Sequence, residues 1–172
     1  LLYRAFGAPV PVFGHVPMIL GADGKKLSKR HGATAVGDYQ HEGILPLAMV
    51  NFLALLGWSP GGDRELFFDI GEMIEAFAFD GVQGKAAVFD PKKLEWMNAE
   101  HMRALGSAKL VGLLGDGLAT LPPARAEALV AAVLPRSRTT LDVVRQARQR
   151  AGLDPVGLDE KAAAFVAHLD GF

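Results

Sequence analysis

A chain of 172 residues, half of them hydrophobic, is long enough to bury one core or two small ones, and it is expected to be globular. A formal charge of −1 and a pI near 6.6 exclude a global field that would hold the protein on nucleic acid or membrane, so a polyanion has to meet a local patch. The absence of cysteine removes disulfides, thiolate zinc sites and cysteine nucleophiles together; it fits a reducing compartment, with the cytoplasm as the default. The longest apolar run, residues 44–58, is interrupted by Pro46 and Asn51 and is too short to span a bilayer, so no membrane segment is expected.

The first six residues, Leu1-Leu2-Tyr3-Arg4-Ala5-Phe6, read as the later turns of an amphipathic helix already under way, without an initiator methionine or a targeting layout. The chain is therefore expected to be a fragment. Residues 9–20 are rich in β-branched and apolar side chains punctuated by prolines, which predicts short or edge strands ending near Leu20. Residues 21–32 bring Gly21, Gly24 and Gly32 together with Lys25, Lys26, Lys29 and Arg30 and show no apolar period, so a loop is predicted. Asp38 is placed as the cap of a short helix through His41, and Pro46 as the first residue of a buried helix over 47–56. Asp69, with Glu72 three residues on, predicts a helix over 70–77. After a brief extended piece at 86–89, Asp90-Pro91 opens a helix over 92–97. From Asn98 onward only helical patterns remain, over 99–105, 108–114, 124–134, 141–151 and 160–169, with Asn98, Ser107, Thr140 and Asp159 as caps.

Lysines on a glycine-flanked loop at the end of a strand can approach a triphosphate closely, because glycine lets the backbone come near and ammonium groups match phosphate oxygens as point charges. They matter most where charge builds up at phosphorus in a transition state. A solvated basic turn is the competing reading. A P-loop is excluded, since Gly24-Lys25 would need glycine where Ile19 stands and a hydroxyl residue where Lys26 stands. His15, His31, His41, His101 and His168 have no metal-binding spacing, no serine sits in a nucleophile elbow, and Trp58 and Trp96 read as core anchors. No metal site is predicted.

The run Lys26-Leu27-Ser28-Lys29-Arg30 resembles the Lys-Met-Ser-Lys-Ser motif of class I aminoacyl-tRNA synthetases, and residues 23–34 as a whole resemble the form found in glutamyl-tRNA synthetases. Two further stretches are similar to that family in the same order: Leu45-Pro46 with residues 51–60, and Ala87-Val88-Phe89-Asp90 with residues 93–98. The resemblance is strong from Leu1 to about Asn98 and general in character from there to Phe172. It implies that Lys29 and Lys26 bind the phosphates of ATP (with Mg2+), that Ser28 shapes the loop, and that the loop closes over the nucleotide while glutamate attacks the α-phosphate. Arg30 stands where the general motif has its final serine, as is usual in this family. The family's other ATP motif, His-Ile-Gly-His, does not occur here, so the resemblance implies a missing N-terminal catalytic half, a missing extreme C-terminal part, and an isolated piece that is inactive.

Residues 136–150 form the most basic segment, with Arg136, Arg138, Arg145, Arg148 and Arg150 against the single acid Asp142. On a helix, Arg145 and Arg148 are neighbours on one face, suited to phosphates or splayed bases, although a solvated helix face explains the same spacing. The family places an arginine just before a Thr-Leu pair in this region to read the anticodon. Arg138 and Arg136 before Thr140-Leu141 are out of register with it by a residue. Arg138, Arg145 and Arg148 are the candidate tRNA contacts.

The expected fold class is mainly α with a small β component. Residues 1–20 are read as the last strand region of a Rossmann-type catalytic domain, 21–97 as the lysine-motif loop and a stem-contact region, and 98–172 as the first part of an all-helical anticodon-binding domain. The expected function is that of part of a glutamate–tRNA ligase, whose partners are glutamate, ATP and a glutamate-accepting tRNA. The alternative is a stand-alone, non-catalytic tRNA- or protein-interaction module derived from a synthetase. Glutaminyl enzymes are disfavoured, because their anticodon-binding part is β-barrel-like whereas the pattern here is helical.

Overall fold

A computed structural model describes residues 1–28 and 35–154. Among these, the chain is mainly helical: α1 (Leu2–Ala5), β1 (Ile19–Leu20), α2 (Val36–His41), α3 (Pro46–Leu55), α4 (Ile70–Ala76), β2 (Ala87–Val88), α5 (Pro91–Leu114), α6 (Pro123–Val133) and α7 (Thr140–Ala151). Contacts divide it into two compact units that are each discontinuous in sequence. The first comprises Leu1–Thr34 and Val50–Pro91, the second Ala35–Met49 and Lys92–Phe172. The helix predicted over 160–169 and its cap Asp159 lie outside the described residues, as do Lys29, Arg30, His31 and His168.

In the first unit, β1 and β2 pair in parallel, with Ile19 opposite Ala87 and Leu20 opposite Val88. Residues 9–17, predicted as strand, carry no regular structure; three prolines remove ladder donors there, and only Ile19 and Leu20 pair. The core of this unit gathers Trp58, Phe67 and Met73, while Phe52 meets Phe89 edge-on at 4.9 Å between ring centroids. Asn51, fully buried, donates to the Glu65 carbonyl at 3.0 Å and accepts from the Phe67 amide at 2.9 Å. That pair of bonds explains how an apolar helix tolerates an amide. Asp69 caps α4 as predicted, accepting from the amides of Gly71 and Glu72. Glu72, in place of completing a capping box, pairs with Arg64, whose guanidinium lies 4.2 Å from the Phe67 ring centroid. The all-round apolar character of residues 47–56 predicted complete burial, yet Val50 and Leu53 are exposed, and burial is confined to the face bearing Ala48, Met49 and Phe52.

In the second unit α6 packs on α7, and Met102 and Leu110 of α5 share a core with Leu45, Val130, Val133 and Val143. Asp38 is not the cap of α2 but its third residue, reaching back to the Ala35 amide at 3.3 Å. Asn98 is likewise not a cap. The helix that opens at Pro91 runs straight through it and breaks at Gly106, where φ is +77°. The cost of an asparagine inside a helix, roughly 0.7 kcal/mol relative to alanine, is offset by three hydrogen bonds. Its side chain accepts from the Leu45 amide (2.8 Å) and donates to the carbonyls of Gly43 (3.2 Å) and Arg138 (2.8 Å). Thr139 rather than Thr140 caps α7, accepting from the Asp142 amide at 3.1 Å while Asp142 accepts from the Thr139 amide at 3.3 Å.

Two outcomes are expected. Gly81 lies where a Cβ would sit 2.3 Å from the Ser59 carbonyl oxygen and 2.6 Å from Trp58 Nε1, so Gly81→Ala must displace backbone and the indole bonded to Ala78. It should cost about 1–3 kcal/mol in urea unfolding, whereas Gly84→Ala, with open space at its Cβ, should be close to neutral. Burial lowers the pKa of His101 below its usual 6.5. The unfolded chain then takes up the proton more readily than the folded one, so stability is full above that range and falls as pH drops toward the lowered native value. Urea midpoints at several pH values should show a shallower acid loss in His101→Gln than in the parent; equal slopes would remove His101 from the account.

Candidate nucleotide loop and arginine turn

β1 leads directly into a tight hairpin. The Gly21 amide donates to the Lys25 carbonyl at 2.8 Å, the Gly24 amide to the Gly21 carbonyl at 3.0 Å, and the Lys25 amide to Asp23 Oδ1 at 3.0 Å. Gly24 has φ of +73°, a left-handed turn position that favours glycine. On the return side Lys26 bridges antiparallel to Leu20, and the Leu27 amide donates to the Ile19 carbonyl at 3.0 Å. Lys25, Lys26 and Ser28 are exposed while Leu27 is half-buried, so this short returning stretch presents its lysines to solvent from an anchored backbone. Lys29, the other predicted phosphate ligand, lies outside the described residues. No group of three or more His, Asp or Glu side chains among the described residues is arranged to hold a metal ion.

The same unit contains an apolar cavity of about 610 Å³, lined by Pro17, Ile19, Leu53, Trp58, Phe77 and Phe79 among others, with no lysine in its wall. It is separate in chemistry from the lysine hairpin.

In the second unit the arginines sort into different environments. Arg136 and Arg138 are exposed on either side of Ser137, which is fully buried, donates to the Val133 carbonyl at 3.0 Å and accepts from Gln146 Nε2 at 3.1 Å. The Arg138 amide donates to Asp142 Oδ2 at 3.2 Å and its carbonyl accepts from Asn98. The backbone of this turn is therefore held from both sides while its two guanidinium-bearing side chains face solvent. Arg145 pairs with Asp142 at 2.6 Å. Arg148 is held by Asp154 through two bonds, Nε to Oδ2 at 2.7 Å and Nη2 to Oδ1 at 2.8 Å, and Nη1 donates to the Gly117 carbonyl at 3.3 Å. The bidentate bond to Arg148 lowers the Asp154 pKa and raises that of Arg148, the hydrogen bond being the larger cause in both. Arg150 donates to the Ala132 carbonyl at 3.3 Å. The helical spacing of Arg145 and Arg148 was visible in the sequence. That Asp154, four residues beyond the basic segment, folds back onto Arg148 was not, because a helix C-terminus at Gly152 (φ +75°) turns the chain there.

Residues 1–96 match the family described as tRNA synthetases class I (E and Q), catalytic domain. The chain is 45% identical over 169 residues to the glutamate–tRNA ligase of Syntrophotalea carbinolica, covering 95% of this chain and 36% of that protein. It is 54% identical over 110 residues to glutamate–tRNA ligase 1 of Fervidobacterium nodosum, covering 64% of this chain and 23% of that protein. Among solved structures, the glutamate tRNA ligase of Elizabethkingia meningosepticum in complex with its amino acid superposes with a TM-score of 0.78 at 28% identity, over 95% of this chain and 36% of that one. The chain spans little more than a third of the length of the first relative. With the family match running through more than half of its residues, and with the hairpin that carries Lys26 inside the matched region, the chain belongs to the class I tRNA synthetases of the glutamate and glutamine group.

Proposed function

We propose that this chain is part of a glutamate–tRNA ligase, supplying the lysine loop that faces ATP and a helical surface that meets tRNA. The observation that carries the reading is the anchored hairpin at the end of β1, which presents Lys25 and Lys26 immediately ahead of Lys29. In the parent enzyme a glutamate carboxylate attacks the α-phosphate of ATP and pyrophosphate leaves, and a tRNA hydroxyl then takes the glutamyl group from the adenylate as AMP leaves. Lys26 and Lys29 stabilise charge on the phosphates as that bond breaks, and Ser28 shapes the loop between them. Mg2+ enters with the nucleotide, since phosphates and water supply most of its ligands in such sites. Glutamate is preferred over glutamine because the two relatives compared with the chain are glutamate enzymes and the described residues from 92 to 154 contain helices and no strand. On this reading residues 1–20 close a nucleotide-binding domain, residues 21–97 contact the tRNA stem, and residues 98–172 begin an anticodon-binding domain in a cytoplasmic enzyme.

Among the arginines, Arg138 and Arg145 are the tRNA contacts we favour, and Arg148 joins them on exchanging Asp154 for a phosphate. A carboxylate within hydrogen-bond reach weakens a guanidinium as an anion receptor, so Arg138, whose side chain stands on an anchored turn, is the strongest of the three.

Two measurements test the reading. In a polypeptide that joins this segment to a complete class I catalytic domain, Lys29→Ala should slow adenylate formation far more than it weakens ATP binding, by roughly 2.7–4 kcal/mol in activation free energy, as for loss of an oxyanion donor. Unchanged turnover would reduce the loop to a basic surface turn. For the helical half, tRNA affinity should fall as salt rises, since each neutralised phosphate releases counterions. Replacing Arg145 and Arg148 together should flatten the dependence of log affinity on log salt, and an unaltered slope would leave both as a solvated helix face.

A further inference from the structure

The stretch Trp96-Met97-Asn98, one of the segments on which the family resemblance rests, has no part in the chemistry of the lysine loop, yet the Asn98 side chain bonds to backbone at three places remote in sequence. Its amide is fully buried on α5 and reaches two loops that are 53 to 55 residues earlier and 40 residues later in the chain. The earlier loop is the turn at Gly43, whose carbonyl also accepts from the Thr140 amide at 3.0 Å. A Cβ on Gly43 would lie 2.8 Å from Thr140 Oγ1 and 2.9 Å from the Leu141 amide nitrogen, and its φ is +80°. The later loop is the turn bearing Arg136 and Arg138, fixed locally by Ser137 and Asp142 and fixed to the rest of the unit through the Arg138 carbonyl.

We propose that Asn98 is a positioning residue for RNA recognition: by holding the Gly43 turn and the Arg138 carbonyl on α5, it sets where the Arg138 guanidinium meets the phosphates or base edges of tRNA. This rests on the reading of Arg138 as a tRNA contact. Ser137 and Asp142 tie the 136–138 turn to the end of α6 and the start of α7, and the Thr140 amide ties that start to Gly43. The Asn98 amide adds the link from this turn to α5, because one side chain donates to a carbonyl in each loop and accepts from the Leu45 amide at the same time. A cation held in one place loses less freedom on meeting a phosphate than one on a loose loop, so affinity and selectivity both depend on the anchor.

The test is a double-variant cycle on the whole chain with a glutamate-anticodon tRNA transcript as probe, binding measured at low salt and the binding-competent fraction determined by stoichiometric titration. Arg138→Ala and Asn98→Ala are each expected to raise Kd by about fivefold or more, and the double variant to stay within about twofold of the weaker single one, because both remove the same contact. Asn51→Ala, which empties an equally buried amide site in the other unit, is expected to lower stability, and any change it makes in Kd is expected to multiply with that of Arg138→Ala, because it does not act through the same contact. A role for Asn98 confined to stability would lower the competent fraction and leave Kd of the remainder where it was. That outcome, or losses that multiply in the double variant, overturns the proposal. An Arg138→Ala variant with the parent's Kd overturns the tRNA reading of Arg138 itself and the positioning role with it. Should Asn98→Ala fail to fold, Gly43→Ala, which pushes on Thr140 from the opposite side of the same junction, is read by the same cycle and the same criteria.

Discussion

The carboxamide of Asn98 ties together three stretches of backbone that the sequence keeps far apart, and the second unit depends on it. Two turns have to end against a helix without water. Each brings a backbone group that costs about 1–3 kcal/mol if buried without a partner. One planar amide with a donor end and an acceptor end answers the Leu45 amide, the Gly43 carbonyl and the Arg138 carbonyl together. An apolar residue at this position would fill the space and leave those groups unpaired, and a serine would be too short to answer both loops. The constraint also explains why Gly43 is glycine, since the turn it forms is pressed against the first residues of α7.

The first unit solves a similar problem with a different residue. Asn51 on α3 serves the irregular chain at Glu65 and Phe67, and the Trp58 indole serves the Ala78 carbonyl. Around them the Ser59 amide bonds to Gly81 and the Gln83 amide to Gly57, closing a small antiparallel junction too short to be a sheet. In both units, then, irregular backbone is held by a buried asparagine side chain projecting from a helix. The lysine hairpin needs no such help. Its turn is closed by its own amides and by Asp23, and its base is tied to β2 through β1.

Helix positions were largely legible in the sequence, because proline at a first turn and glycine or aspartate at an end act through local sterics and hydrogen bonds that need no tertiary context. Pro46, Asp69 and Pro91 all mark real features. The misreadings at Asn98 and Asp38 share one cause. Asparagine and aspartate favour caps when nothing else claims their side chains, and which other groups claim them is decided by residues tens of positions away. The choice between Thr139 and Thr140 as cap has a local signal in Asp142, three residues after Thr139, which completes a capping box. The role proposed for the lysine loop rests on its resemblance to a family, since glycines and lysines in a loop specify no chemistry by themselves. The positions of Lys25 and Lys26 on a closed hairpin add the physical reason that such lysines can act as fixed charges.

Charge in the arginine segment illustrates why counting residues misjudges a surface. Five arginines against one acid over residues 136–150 suggest a continuous positive stripe. In the folded chain Arg145 shares Asp142 with the start of α7, Arg148 is locked to Asp154, and Arg150 leans on the Ala132 carbonyl. Arg145 and Arg150 are exposed as well, but the pair flanking Ser137 keeps its guanidinium groups out of these bonds, and Arg138 is tied at both its amide and its carbonyl. A protein of net charge −1 gains little from long-range attraction to RNA, so on the proposed reading its selectivity comes from the placement of a few cations and not from their number. Asp142 holds the Arg138 amide while its other oxygen is taken by Arg145, and the buried neutral amide of Asn98 holds the Arg138 carbonyl without adding a charge that would compete for the guanidinium.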